Sequence, residues 1–118
     1  MVVSDEVLYR ISDVLKAMAD PTRLKILHRL QHHERCVSEI LDHVGGSQAN
    51  VSKHLAILKR TGLVDCRRQG LKVYYRIIDT GVFSICRNIC DSLELRHEEE
   101  GRDSPRSLNR GTDPSSRG

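Results

Sequence analysis

Four cysteines are the side chains of this sequence best suited to specific chemistry. Cys86 and Cys90 lie four residues apart in a segment with helical periodicity, so they share one face of a helix. Such a pair suits a soft ion of the As(III), Sb(III) or Cd(II) class. The same thiols could instead be oxidised or persulfidated, or could serve as small apolar packing residues. The pattern alone leaves these three interpretations open.

Cys36 is a less favoured candidate ligand. It could join the two helical cysteines, or it could form a mixed site of the kind that favours zinc with the nearby histidines His32, His33 and His43. With no signal peptide expected, all four cysteines are predicted to stay reduced rather than to form structural disulfides.

A basic segment stands out from an otherwise slightly acidic chain. Residues 47–78 contain seven Lys or Arg side chains against a single acid, Asp65, whereas the remaining residues up to 97 carry more acids than bases. This segregation is the electrostatic footprint of a protein that binds nucleic acid. It argues against the rival interpretation of a module that docks only proteins, because phosphate neutralisation needs such charge.

Hydrophobic periodicity predicts the elements that position these residues. Ser4, Asp20 followed by Pro21, and Ser47 are predicted helix caps. The β-rich runs 63–68 and 71–77 flank Gln69-Gly70 and predict a hairpin. The predicted helices cover about residues 5–19, 21–30, 37–43, 48–60 and 79–96.

Two short helices joined by a glycine turn, followed by a basic hairpin, predict a winged helix-turn-helix: a mainly α fold with a small β-hairpin wing. The start of the later of these two helices, predicted over 48–60, would enter the major groove of double-stranded DNA. There, Gln48 and Asn50 could each form a bidentate contact with adenine, and the wing would lie along the backbone. The predicted DNA contacts are Ser47, Gln48, Asn50, Ser52, Lys53 and His54 in the helix, with Arg67, Arg68 and Lys72 in the wing.

Length and composition restrict the remaining possibilities. The 118 residues predict one domain over 1–97 and a disordered polar tail over 98–118. No apolar run approaches the roughly 20 residues of a membrane span, and the acidic N-terminus is unlike a signal peptide. We therefore expect a cytoplasmic protein. It is not expected to be an enzyme, because nucleophile-elbow and phosphate-loop motifs are both absent.

Three segments resemble motifs of the ArsR/SmtB family of winged-helix repressors, and the resemblance covers about residues 5–96. It implies a homodimer formed by the first and last helices. It also implies an operator that is bound without a cofactor and released when a metal or another small species binds. The motifs are 17–27, 47–58 followed by Gly62-Leu63-Val64, and 68–75. The apolar residues assigned to the dimer are Leu8, Ile11, Leu15, Phe83, Ile89 and Leu93.

The family's sensing sites are only partly present in this sequence. At the start of the third helix the family usually has two cysteines separated by one residue; here Cys36 matches and Ser38 does not. A second family site, on the last helix, retains Asp79, but its other positions hold Gly81, Ser92 and Leu95. We therefore reject the zinc site on the last helix. The favoured effector is a thiophilic metal or metalloid such as As(III), held by Cys86 and Cys90, with thiol-based redox or reactive-sulfur sensing as the alternative.

Overall fold

The computed structural model describes residues 2–93, which fall into two units that divide between Thr80 and Gly81. The first unit contains four helices and a three-stranded antiparallel sheet, and the second contains one described helix. The elements are α1 (Asp5–Met18), α2 (Pro21–Arg29), β1 (Arg35–Cys36), α3 (Val37–Val44), α4 (Gln48–Arg60), β2 (Val64–Gln69), β3 (Lys72–Ile77) and α5 (Gly81–Ser92). The predicted tail, and the end of the last helix near residue 96, lie outside the described residues.

Three predicted caps begin their helices as expected. The side-chain oxygens of Ser4, Asp20 and Ser47 accept hydrogen bonds from the backbone N–H three residues later, at 3.0–3.2 Å. Each bond satisfies a donor that has no partner within its helix, and replacing such a cap by alanine typically costs about 1 kcal/mol. The start of α4 is therefore set by a local bond that Ser47 supplies.

The sheet has the strand order β1-β3-β2, with β2 and β3 paired from Val64↔Ile77 to Gln69↔Lys72. This register places the hairpin turn at Gly70-Leu71, so the predicted turn at Gln69-Gly70 was one residue too early. Gly70 has a φ of 65°, which suits the first loop residue of a two-residue hairpin turn. Strand β1 was not predicted, because two residues are too short to show a periodicity.

The described core of the first unit lies between α2, α3, α4 and the start of the hairpin. One face of α4 is fully buried in this core, and this packing leaves the opposite face of α4 to solvent. The largest fully buried side chains of this unit are Ile26, Leu27, Leu30, Ile40, Val51, Leu55, Leu58, Leu63 and Val64. None of the helices within residues 2–93 is long and apolar enough to cross a membrane.

Candidate nucleic-acid interface and cysteine sites

The first two turns of α4 present polar side chains to solvent. Gln48, Asn50, Ser52 and Lys53 are all exposed, and no acid occupies the first turn of the helix. The positive end of the helix dipole is therefore available to an anion such as a phosphate group. Amide side chains that can donate and accept together at one base edge lie beside it. This part of α4 has the chemistry that base and phosphate contacts require.

The wing adds basic side chains, but they differ in how free they are. Arg68 and Lys72 are exposed near the end of the hairpin. Arg67 is instead paired with Glu34, through its Nη2 and through its Nε at 3.1 Å, and its guanidinium lies 5.0 Å from the centre of the Tyr74 ring. The hydrogen bond from Arg67 lowers the pKa of Glu34. A phosphate contact by Arg67 would have to compete with this carboxylate.

His54 is less exposed than the other predicted contacts of α4, and its side chain has partners in and next to α2. Its side chain is only 14% exposed, and its Nδ1 lies 3.1 Å from Nη1 of Arg23 and 3.9 Å from the Asp20 carboxylate. We interpreted His54 from the sequence as a DNA contact. The structure instead places its Nδ1 against α2. Arg23 and Glu34, the partners of His54 and Arg67, were missed because they are 31 and 33 residues away in the sequence.

The four cysteines are free thiols in different surroundings. Cys36 is buried at the start of α3, where its Sγ lies 3.2 Å from the Ser38 hydroxyl and its backbone N–H donates to Glu39 at 2.9 Å. That bond lowers the pKa of Glu39. Ser38 thus provides a hydroxyl partner at the position where the family usually has a second thiol.

Cys86 and Cys90 lie one turn apart in α5, as predicted. Cys86 is partly buried and Cys90 is exposed. Burial raises the pKa of the Cys86 thiol, and the neighbouring Cys90 raises it further. Because thiolate is the form that binds metals, a metal bound at Cys86 would have to displace a proton. The two soft donors fit a thiophilic ion, but a single chain supplies only these two in α5.

Cys66 has described partners in the first unit. It lies in β2 opposite Tyr75, and a hydrogen bond with Cys66 raises the pKa of Lys59 at the end of α4. Burial raises the pKa of Tyr75. Cys66 therefore serves as an internal reference thiol outside α5.

The mixed Cys and His site is not assembled in one chain. Among residues 2–93, no group of three or more His, Cys, Asp or Glu side chains lies close enough together to hold a metal ion. The histidines that we considered as partners of Cys36 instead line a cleft of about 380 Å³ that Cys36 does not line. The residues lining it are His28, Arg29, His32, His33, Arg35 and His43.

Two exposed apolar groups correspond to the predicted dimer residues. Leu8, Ile11 and Leu15 form a stripe along α1, each 40–47% exposed. Ile89 in α5 and Leu93 just after α5 are at least half exposed, whereas Phe83 is already buried in the single chain. Phe83 therefore has less exposed surface available for a dimer contact than the other five predicted dimer residues have.

The sequence matches a known protein family and its members. The family described as "Bacterial regulatory protein, arsR family" matches residues 20–65. The transcriptional repressor SmtB homolog of Synechocystis is 33% identical over 93 residues, covering 79% of this chain and 70% of that protein. The chain belongs to the ArsR/SmtB family. This result confirms the resemblance noted in the sequence.

Other members are similar over shorter segments. The HTH-type transcriptional repressor SmtB of Mycobacterium tuberculosis is 40% identical over 74 residues, which are 63% of this chain; the match spans about half, 55%, of that relative's length. The cadmium resistance transcriptional regulatory protein CadC of Listeria innocua is 38% identical over 64% of each chain. These names describe transcriptional regulators, which confirms the prediction that this ArsR/SmtB member is not an enzyme.

A solved structure supports the fold assignment. The homodimeric winged helix-turn-helix DNA-binding domain of Mb0332 from Mycobacterium bovis superposes with a TM-score of 0.71 at 34% identity, covering 79% of this chain and 88% of that domain. The predicted fold class, a mainly α winged helix-turn-helix with a small wing, is confirmed.

Proposed function

We propose that this ArsR/SmtB member is a DNA-binding transcriptional repressor. The observation that carries the proposal is the two-sided character of α4. One face is buried in the core through Val51, Leu55 and Leu58. The exposed first turns present amide, hydroxyl and ammonium groups beside a basic wing. A rigidly packed helix with such a face suits insertion into a major groove.

The repressor is proposed to act as a homodimer. Association would remove from water the exposed apolar stripe of α1, formed by Leu8, Ile11 and Leu15. It would also cover Ile89 in α5 and Leu93, which follows α5. The homodimeric state named for Mb0332 supports the same arrangement. Two-fold symmetry would present two copies of α4 to two half-sites of an operator.

Release of DNA is proposed to follow when a thiophilic metal or metalloid binds Cys86 and Cys90. A homodimer brings four such thiols into one assembly, which supplies more donors than the two of a single α5. The role named for the CadC relative supports an effector of this class, and As(III), Sb(III) and Cd(II) are its candidates. Such an effector would shift DNA affinity through a coupling of about 1–3 kcal/mol.

Thiol-based redox or reactive-sulfur sensing is the second candidate for the effector. The exposure of Cys90, one turn from Cys86, favours it. An exposed thiol can be oxidised, or can receive sulfur from a polysulfide, without any third ligand. Both candidates use the same two residues, so one experiment can separate them.

DNA binding is tested first, with duplexes that the full chain selects from a randomised library. We expect sequence-specific binding whose affinity falls steeply as salt is raised, because basic side chains release counterions from phosphates. Failure to bind any duplex at low salt would overturn the repressor proposal and favour a winged helix that docks proteins.

The effector is then identified by titrating the DNA complex with As(III), Sb(III), Cd(II), Pb(II), Zn(II), peroxide and polysulfide. Release by the soft ions under anaerobic conditions supports the metal proposal, whereas release by peroxide or polysulfide alone supports the redox alternative. The Cys86→Ser, Cys90→Ser double variant should keep its DNA affinity and lose the response. Cys66→Ser is the matched control, because it removes a thiol outside α5. If the double variant responds like the parent, the assignment of these cysteines is wrong.

A further inference from the structure

One arginine side chain joins three helices of the first unit. The Nε of Arg23, in α2, donates to the Ala17 carbonyl at 2.6 Å, and its Nη2 donates to the Lys16 carbonyl at 3.3 Å. Both carbonyls belong to the last turn of α1, where the regular i+4 backbone donors run out; the Lys16 carbonyl also accepts the backbone N–H of Ala19 at 3.2 Å. Its Nη1 lies 3.1 Å from Nδ1 of His54 in α4. Arg23 therefore connects the end of α1 with the second turn of α4.

The chemistry of the pair defines the direction of the bond. A guanidinium has only donors and stays charged, so Nδ1 of His54 must be the acceptor and the ring proton must lie on Nε2. Asp20 holds the start of this arrangement by accepting the backbone N–H of Arg23 at 3.0 Å. Its carboxylate is 3.9 Å from Nδ1, which is beyond hydrogen-bond distance. Arg23 is thus the bonded partner of His54.

The Arg23–His54 hydrogen bond can fix the rotation of α4 about its axis, which apolar packing constrains less tightly. The buried side of α4 contacts the core through Val51, Leu55 and Leu58, and apolar burial has no preferred direction. A hydrogen bond is directional and weakens steeply when it is misaligned. A bond at residue 54 therefore restricts the rotation of α4 about its axis. That rotation determines where Gln48 and Asn50 point.

We propose that Arg23 and His54 are positioning residues that hold the DNA-contacting helix α4 in register with α1. The inference rests on the proposed function, because it concerns how the DNA-contacting side chains are oriented. Since α1 also carries the exposed stripe Leu8, Ile11 and Leu15, Arg23 links the helix of the proposed dimer surface to the helix of the proposed DNA surface. His54 then acts on DNA affinity through Arg23 and makes no base contact of its own.

Two near-isosteric substitutions distinguish positioning from direct contact. Asparagine at position 54 places an amide oxygen close to where Nδ1 stands, whereas glutamine reaches toward the position of Nε2. We expect His54→Asn to stay within about threefold of the parent affinity for the selected duplex. His54→Gln and His54→Ala should each lose about tenfold, the loss expected for one hydrogen bond to a charged group. The reverse order, in which His54→Gln keeps the parent's DNA affinity and His54→Asn loses it, would show that His54 contacts DNA directly.

A double-variant cycle tests whether the two residues act as one unit. Arg23→Gln and His54→Ala should each weaken binding about tenfold, and the double variant should be little weaker than either single variant. Additive losses would overturn the proposal. Lys25→Gln is the matched control, because it removes the same charge from an exposed position of the same helix. Circular dichroism and sedimentation establish that each variant is folded and has the parent's assembly state at the temperature of measurement.

A spectroscopic readout tests the bond without DNA. Nitrogen NMR of the His54 ring in the full chain should show a proton on Nε2 and none on Nδ1 at neutral pH, and Arg23→Gln should shift the Nδ1 signal. A proton on Nδ1 in the parent would contradict the proposal. If the parent binds no duplex, the proposed function fails, but this measurement still decides whether the bond exists.

Discussion

Helices α4 and α5 carry the two groups of side chains on which the proposed function depends. The two proposed sites differ in how far a single chain forms them. The polar side of α4 proposed to face DNA is supported within the first unit by a capped start, a buried opposite face and the Arg23–His54 bond. In α5 the described chain offers two thiols and an exposed apolar surface. On the proposed function, a single chain already holds the α4 surface in place, whereas the proposed effector site in α5 would need further donors or a chemical modification of the thiols.

The largest expected effect follows from the packing of α4. Leu55→Ala should lower the free energy of unfolding by about 2–5 kcal/mol, because it removes a fully buried side chain and leaves a cavity. Ile89→Ala, at a half-exposed position of α5, should change it by only about 0.5 kcal/mol in dilute samples. Urea unfolding measures both. Equal losses at low protein concentration would contradict the distinction between the helices.

Contacts in α4 that depend on DNA sequence should have the next largest effect. Asn50→Ala should weaken binding to the preferred duplex by about 1–3 kcal/mol and relax the base preference at one position of each half-site. The fold should be retained, because the side chain is exposed and the cap of α4 uses the backbone N–H of this residue. Binding measurements on single-base variants of the duplex test this. A uniform loss across all duplexes would indicate a phosphate contact instead.

These differences also show which features the sequence could predict. The caps at Ser4, Asp20 and Ser47 are bonds between residues three apart, so they were visible in a local pattern. The Arg23–His54 and Glu34–Arg67 pairs join residues more than 30 positions apart. No local pattern marks such partners. The polar side chains of α4 were therefore predicted, but the residues that orient His54 and restrain Arg67 were not.

The charge contacts of α4 provide a smaller and more uniform effect. Lys53→Gln should weaken binding to every duplex by a similar factor, because a phosphate contact carries no base information. The slope of log affinity against log salt should become shallower by about 0.9. The exposed Lys25 again provides the control, since Lys25→Gln should leave the slope nearly unchanged. An unchanged slope in the Lys53 variant would remove this residue from the proposed interface.

The smallest expected effect concerns the wing, where Glu34 holds Arg67. The pKa of Glu34 is lowered from 4.5 mainly by the hydrogen bond from Arg67. A carboxyl with a lowered folded-state pKa stabilises the fold fully above its ordinary pKa and loses that contribution as pH falls through the lower value. Glu34→Gln should therefore make the free energy of unfolding depend less on pH below about 4.5.

The same substitution tests whether Glu34 competes with DNA for Arg67. Glu34→Gln removes the carboxylate charge that holds Arg67, although Arg67 Nη1 still donates to Gln69 Oε1 at 2.5 Å. A phosphate would then compete with weaker partners for Arg67, so this variant should leave DNA affinity at neutral pH unchanged or modestly higher. An Arg67→Gln variant is the partner control, and in its background the Glu34 substitution should have no additional effect of this kind. A clear loss of affinity in Glu34→Gln would instead mean that the pair holds the wing in its DNA-binding position. Glu34 would then support the wing as Arg23 is proposed to support α4.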